Sequence, residues 1–91
     1  MDLSFEKKGN LMVAEFEATG PFNLHVERDS KGYIAVYQKG IAEGEYSTSA
    51  SWYDNDAHKV IDIDFAAIVY PKHIKVVCRG EVSKGVVTFN G

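Results

Sequence analysis

The sequence has one cysteine, two prolines and no apolar run longer than six residues, Phe65 to Tyr70, in a chain of 91. Each scarcity excludes something. A lone thiol, Cys78, closes no intrachain disulfide. Six apolar residues fall far short of the roughly 20 that a membrane-spanning helix needs. The opening Met1-Asp2-Leu3-Ser4-Phe5-Glu6 has neither a basic n-region nor an apolar h-region, so no signal peptide is expected. Charge of one sign is also scarce. Ten Lys and Arg stand against 13 Asp and Glu, a net charge of −3, which argues against a general nucleic-acid binder. There is no glycine-rich phosphate loop, no Gly-x-Ser-x-Gly and no His-Glu-x-x-His.

Helical periodicity is missing as well, apart from a single turn's worth at Phe65 to Tyr70. What is present is period two. Leu3 and Phe5 alternate with polar residues, as do Met12, Ala14 and Phe16, then Phe22, Leu24 and Val26. Ile34 and Val36 follow, then the run Tyr46 to Trp52. Ile61, Ile63 and Phe65, then Ile74, Val76 and Cys78, and finally Val87 and Phe89 complete eight runs. Successive strand side chains point to opposite faces, so each run presents one apolar face. Turn residues sit between the runs. Lys8-Gly9-Asn10 reads as a tight hairpin, and Asp29-Ser30-Lys31-Gly32 as a longer hairpin loop with a glycine at its end. Gly20-Pro21, Gly40 to Gly44, Tyr53 to Asp56, Tyr70-Pro71, Arg79-Gly80 and Ser83 to Gly85 read as further breaks. The expected architecture is a single all-β domain spanning 1–91. It is an antiparallel β-sandwich of jelly-roll or immunoglobulin-like type, or a small barrel, of about eight strands. Phe16, Leu24, Val26, Ile34, Val36, Ile61, Ile63, Ile74 and Val76 are the expected core.

Chemistry-bearing residues are few. Asp54, Asp56, Asp62 and Asp64 fall within eleven residues with His58 among them, and hard cations favour such clusters. The spacing lacks the glycine and glutamate of an EF-hand loop. Asp62 and Asp64 fit the outer face of a strand whose inner face is Ile61, Ile63 and Phe65, and Asp54-Asn55-Asp56 fits a turn. No metal and no cofactor are expected. His25, His58 and His73 are scattered, whereas zinc needs three or four converging ligands. Cys78 is in phase with Ile74 and Val76 and reads as a small core residue. A nucleophile pair of Cys78 with His73 or His58 needs an orienting group and an oxyanion site that the spacing does not supply. No catalytic residue is assigned, and the chain is expected not to be an enzyme.

Aromatic residues gather mid-chain: Tyr33, Tyr37, Tyr46, Trp52, Tyr53 and Tyr70. Trp52 and Tyr53 are neighbours, so in one strand they face opposite ways. With Ile34 and Val36 turned inward, Tyr33 and Tyr37 form an outward stripe, and Tyr46 and Trp52 are its candidate extension on the next strand. Tyrosine contributes apolar area and a hydroxyl at low entropic cost, as protein interfaces require. Tyr33, Tyr37, Tyr46 and Trp52 are therefore the candidate protein interface. A glycan platform beside Asp54 and Asn55 is the alternative. Charge is split: 54–64 carries a local −3 and 72–84 a local +3. Paired in one sheet, these segments give cross-strand ion pairs; in different sheets they give two patches, which suits head-to-tail copies.

The C-terminal third reads Val69-Tyr70-Pro71-Lys72-His73-Ile74-Lys75-Val76-Val77 and ends Val86-Val87-Thr88-Phe89-Asn90-Gly91. In size, strand density and short loops the chain resembles the small all-β accessory proteins of tailed-bacteriophage particles. The resemblance implies a non-enzymatic structural role on the capsid, neck or fibres, location in the virion, and partners that are other protein chains, further copies of this one included. Outside that setting the expected place is the cytoplasm, with neither nucleic acid nor membrane as partner.

Overall fold

Strands with one apolar face are stable only when two sheets close on those faces. The structure, a computed structural model, describes residues 1–42, 44–55, 58–66 and 69–90. It contains β1 (Glu6–Lys8), β2 (Leu11–Ala18), β3 (Phe22–Arg28), β4 (Ile34–Gly40), β5 (Trp52–Asp54), β6 (Val60–Phe65), β7 (Lys72–Cys78) and β8 (Val82–Phe89). They form two separate antiparallel sheets, β1-β2-β7-β4-β5 and β6-β3-β8. The molecule is thus a two-layer β-sandwich and not a barrel. Among the described residues no helix is long and apolar enough to cross a membrane.

The inward residues are those the alternation marks. Phe16, Leu24, Val26, Ile34, Val36, Ile61, Ile74 and Val76 are all buried. Ile63, expected with them, is only half-buried, because β6 is an edge strand and lacks a neighbour on one side. Phe22, Ala18, Cys78 and Val87 complete the core. Phe22 stacks on Phe65 at 4.9 Å between ring centroids and meets Phe16 edge-on at 5.3 Å, both favourable ring geometries.

The periodicity also marks an inward residue that is charged. Arg28 follows Leu24 and Val26 in phase and is 4% exposed. Its Nη1 donates to the carbonyls of Tyr33 (3.0 Å) and Arg79 (3.1 Å), and its Nη2 to those of Gly32 (3.1 Å) and His58 (3.2 Å). These acceptors come from the β3–β4, β5–β6 and β7–β8 connections. One guanidinium therefore gathers three connections at one end of the sandwich.

Several expected boundaries move. The loop Asp29 to Gly32 is not a hairpin: it wraps Arg28 and carries the chain from β3 in one sheet to β4 in the other. The first strand is not Leu3 to Glu6. Residues 1–3 lie along β8, with Leu3 N–H donating to Gly85 O (2.9 Å) and Val87 N–H to Met1 O (2.8 Å). The chain then crosses to β1, which the two-residue turn Gly9-Asn10 sets against β2, with Gly9 at φ +64°. Ser83 to Gly85 is not a turn but part of β8. Ser83 is the extra residue where pairing steps from Glu27–Lys84 to Arg28–Val82. Gly85 is there for proximity, since a Cβ would stand 2.6 Å from Cε1 of Phe5. Most of the run Tyr46 to Trp52 is not a strand. Its backbone bonds to β4 through Ser47 N–H to Gln38 O (3.2 Å) and Ser51 N–H to Val36 O (2.7 Å), and regular pairing starts at Trp52. Tyr53 and Asp54, read as a break, therefore belong to β5. The peptide bond before Pro71 is cis. The helical turn considered at Phe65 to Tyr70 falls partly on residues 67 and 68, outside the described residues.

Candidate functional site

The outer face of the five-stranded sheet breaks the rule that the face turned to water is polar. Across it, Val77 of β7 pairs with Val13 of β2 and Ala35 of β4, and Ala35 pairs with Tyr53 of β5. Ala35 is fully buried and Val77 is 8% exposed, although the core lies on the other side. Tyrosines cover this row. Tyr33 and Tyr37 flank Ala35 on the same face, with bases about 13 Å apart along the strand. They lean together until their hydroxyls hydrogen-bond. Tyr53 closes the end, its ring 5.6 Å from that of Tyr33 and tilted by 56°.

Lysines hold the second row. The Lys75 ammonium lies 5.3 Å from the Tyr37 ring centre and 4.6 Å from that of Tyr46, and the Lys39 ammonium lies 4.9 Å from Tyr46. Such cation–ring contacts are worth about 0.5–1 kcal/mol when exposed. The Glu15 carboxylate bears on the Tyr46 hydroxyl from β2 and helps to raise its pKa. The Tyr46 side chain is thus drawn over the sheet face, while the backbone of its segment touches the β4 edge at Ser47 and Ser51. Burial, then the Tyr37 hydroxyl, pushes the Tyr33 hydroxyl up to about 12. Burial, then the Glu15 carboxylate, pushes Tyr46 up. Both stay neutral at physiological pH, so the surface carries hydroxyl donors and lysine charge.

Of the four residues read as an interface, Tyr33, Tyr37 and Tyr46 lie together on this face. Trp52 does not extend it. Trp52 pairs with Val36 and packs against the core, so the outward member of the Trp52–Tyr53 pair is Tyr53, 55% exposed. Adjacent residues on one strand had to split this way, but which turned inward depended on the register with β4.

The aspartates are dispersed. Asp54 ends β5 in one sheet, Asp62 and Asp64 lie on β6 in the other, and Asp56 is outside the described residues. Among the described residues no group of three or more His, Cys, Asp or Glu side chains is placed to hold a metal ion. The acidic and basic segments fall mainly in different sheets, β6 in one and β7 in the other, so they make separate patches. Cys78 faces the core while His73 lies on the opposite side of β7; His58 meets the centre through its carbonyl on Arg28. Burial pushes the Cys78 thiol up, away from the thiolate form that nucleophiles use.

The outer face of the three-stranded sheet carries a polar network that no motif in the sequence announces. There His25 sits between two carboxylates, with Nε2 2.7 Å from Glu27 Oε2 and Nδ1 2.9 Å from Asp62 Oδ2. Asn23 Nδ2 donates to Asp62 Oδ1 (2.7 Å) and Asp64 Oδ1 (3.0 Å). Both ring nitrogens face carboxylate oxygens, an arrangement that favours the imidazolium form, in which both donate. The signal was the alternation Asn23, His25, Glu27 opposite Asp62, Asp64, which becomes readable only once β3 and β6 are known to pair. No protein-family model matches the chain, and neither the curated proteins nor the solved structures contain a match.

Proposed function

We propose that this domain is a non-enzymatic assembly module that binds other protein chains through the tyrosine face, in the manner of an accessory component of a tailed-phage particle. The observation that carries the reading is the buried Ala35–Val77 row beneath Tyr33, Tyr37 and Tyr53, on the side of the sheet that the core does not use. A small sandwich needs one apolar face per strand, and β4 has two. Tyrosines with fixed hydroxyls and lysines held on rings are pre-organised, which lowers the entropy cost of contact. The resemblance in size and strand density to phage accessory proteins supports the setting.

The test is light scattering with circular dichroism. Tyr37→Glu and Tyr53→Glu should each abolish assembly and leave the β-sheet spectrum unchanged. Normal assembly by both folded variants would sink the reading. A second reading, a glycan- or ligand-binding module, draws on the open depression lined by Tyr33, Asn55, Lys31 and Arg79 beside the exposed Tyr53. A glycan that shifts the Asn55 and Tyr33 resonances without altering the mass would favour it.

A further inference from the structure

A β-sandwich has sheet edges, and an open edge is a template for another strand. Here the edges differ. The outer edge of β8 is covered by residues 1–3, and the edge strands β1 and β5 are three residues each. β6, of six residues, is the longest stretch of edge with which no described segment pairs; the next, β2 beyond Val13 where β1 stops, is the five residues Ala14 to Ala18.

The hydrogen-bond phase fixes which groups it offers. Arg28 N–H donates to Lys59 O at 3.1 Å, in the same register that pairs Glu27 with Val60. In an antiparallel ladder, hydrogen-bonded and non-bonded pairs alternate. Ile61, Ile63 and Phe65 therefore bond to β3. The backbone N–H and C=O groups of Val60, Asp62 and Asp64 point away from the sheet, about 6.6 Å apart.

Charged side chains usually guard such an edge. Asp62 and Asp64 are in the right place, but Asn23 and His25 draw both carboxylates over β3. The edge backbone is left unguarded. Beside it, Ile63 and Phe65 are only half-buried, so apolar surface remains for an added strand to cover.

We propose that β6 accepts an extended strand of a partner protein by β-strand addition, and that the strand alternates basic and apolar residues. The basic residues lie on the outer face beside Asp62 and Asp64. The apolar ones extend the core beside Ile63 and Phe65. A second copy fits less well: the antiparallel register using all three outward residues sets Asp62 opposite the same residue of the copy, and like charges directly opposed are destabilising. This edge belongs to the sheet opposite the tyrosine face, so the two proposals stand or fall separately.

The probe is the capped hexapeptide Lys-Val-Lys-Val-Lys-Val, added to the isotope-labelled full chain and followed by amide resonances and hydrogen exchange. The Lys residues would lie opposite Val60, Asp62 and Asp64 and supply the peptide's bonding N–H groups. The expected result is that the amides of Val60, Asp62 and Asp64 shift and gain protection. The same peptide N-methylated at its lysines should lose the effect, and one N-methylated at its valines should keep it. Equal effects from both methylated peptides would reduce the contact to charge alone and overturn the proposal. So would shifts elsewhere than β6, or pairing of β6 with β6 in the free protein.

Discussion

At His25 the fold creates a charge state that the free residue has only in part. Its hydrogen bonds to Glu27 and then Asp62 raise its pKa above 6.5. His25 lowers Glu27, while Asn23 and then His25 lower Asp62. Because the folded histidine value is raised, its stabilisation is complete below the unfolded value of 6.5 and is lost as the pH rises through the folded value. The lowered carboxylates act oppositely, contributing above their unfolded values and losing that contribution as the pH falls through the folded ones. Around the ring stand Glu27 and Asn23 on β3, Asp62 and Asp64 on β6, and Val86 flanked by Lys84 and Thr88 on β8. The melting-temperature gap between wild type and His25→Gln should be widest near about pH 6 and narrow as the pH rises above it. A gap constant over that range would show that His25 is not the titrating group. Arg28 acts by geometry. Arg28→Met would strand four carbonyls in a buried site, and unfolding in urea should show a loss of about 3 kcal/mol or more; a loss under about 1 kcal/mol would mean that the carbonyls find water.

For whole strands, the difference between centre and edge sets the energetics. Ile74 on β7 is 1% exposed and has β2 and β4 on either side, whereas Ile63 on β6 has β3 alone. Truncation cost follows burial and the cavity left behind. Ile74→Ala should cost about 2–5 kcal/mol, and Ile63→Ala about 1–2 kcal/mol, since its site can collapse toward solvent. Equal losses in urea titration would mean that β6 is covered. The same asymmetry governs β8, whose outer edge residues 1–3 occupy because Gly85 leaves room for Phe5.

Across the whole molecule, the two sheets divide the work. The five-stranded sheet carries aromatic and lysine groups outside a buried aliphatic row; the three-stranded sheet carries a hydrogen-bonded acidic network and an open edge. The sandwich thus has a tyrosine-covered face on one sheet and the β6 edge on the other, with a shared core between them, and the two proposed contacts use different sheets. A partner at one need not disturb the other, because the contacts at each are made within a single sheet.

Period-two patterning determined the six longer strands and most of the core, but not β1 or β5: the inward set from Phe16 to Val76 follows from side-chain alternation alone, since one residue of slip would turn every one of them to water. The same rule required Trp52 and Tyr53 to part and placed Tyr33 and Tyr37 outside Ile34 and Val36. It could not decide which strands are neighbours, because alternation is local and pairing is not. Only the tertiary structure set β6 against β3, so that His25 met Asp62, put Tyr46 over Lys75 in place of a strand, turned Trp52 inward, and buried Arg28 where three connections converge. Each of those depends on residues from distant parts of the chain meeting at hydrogen-bond or ring-contact distance, which no spacing within one segment records.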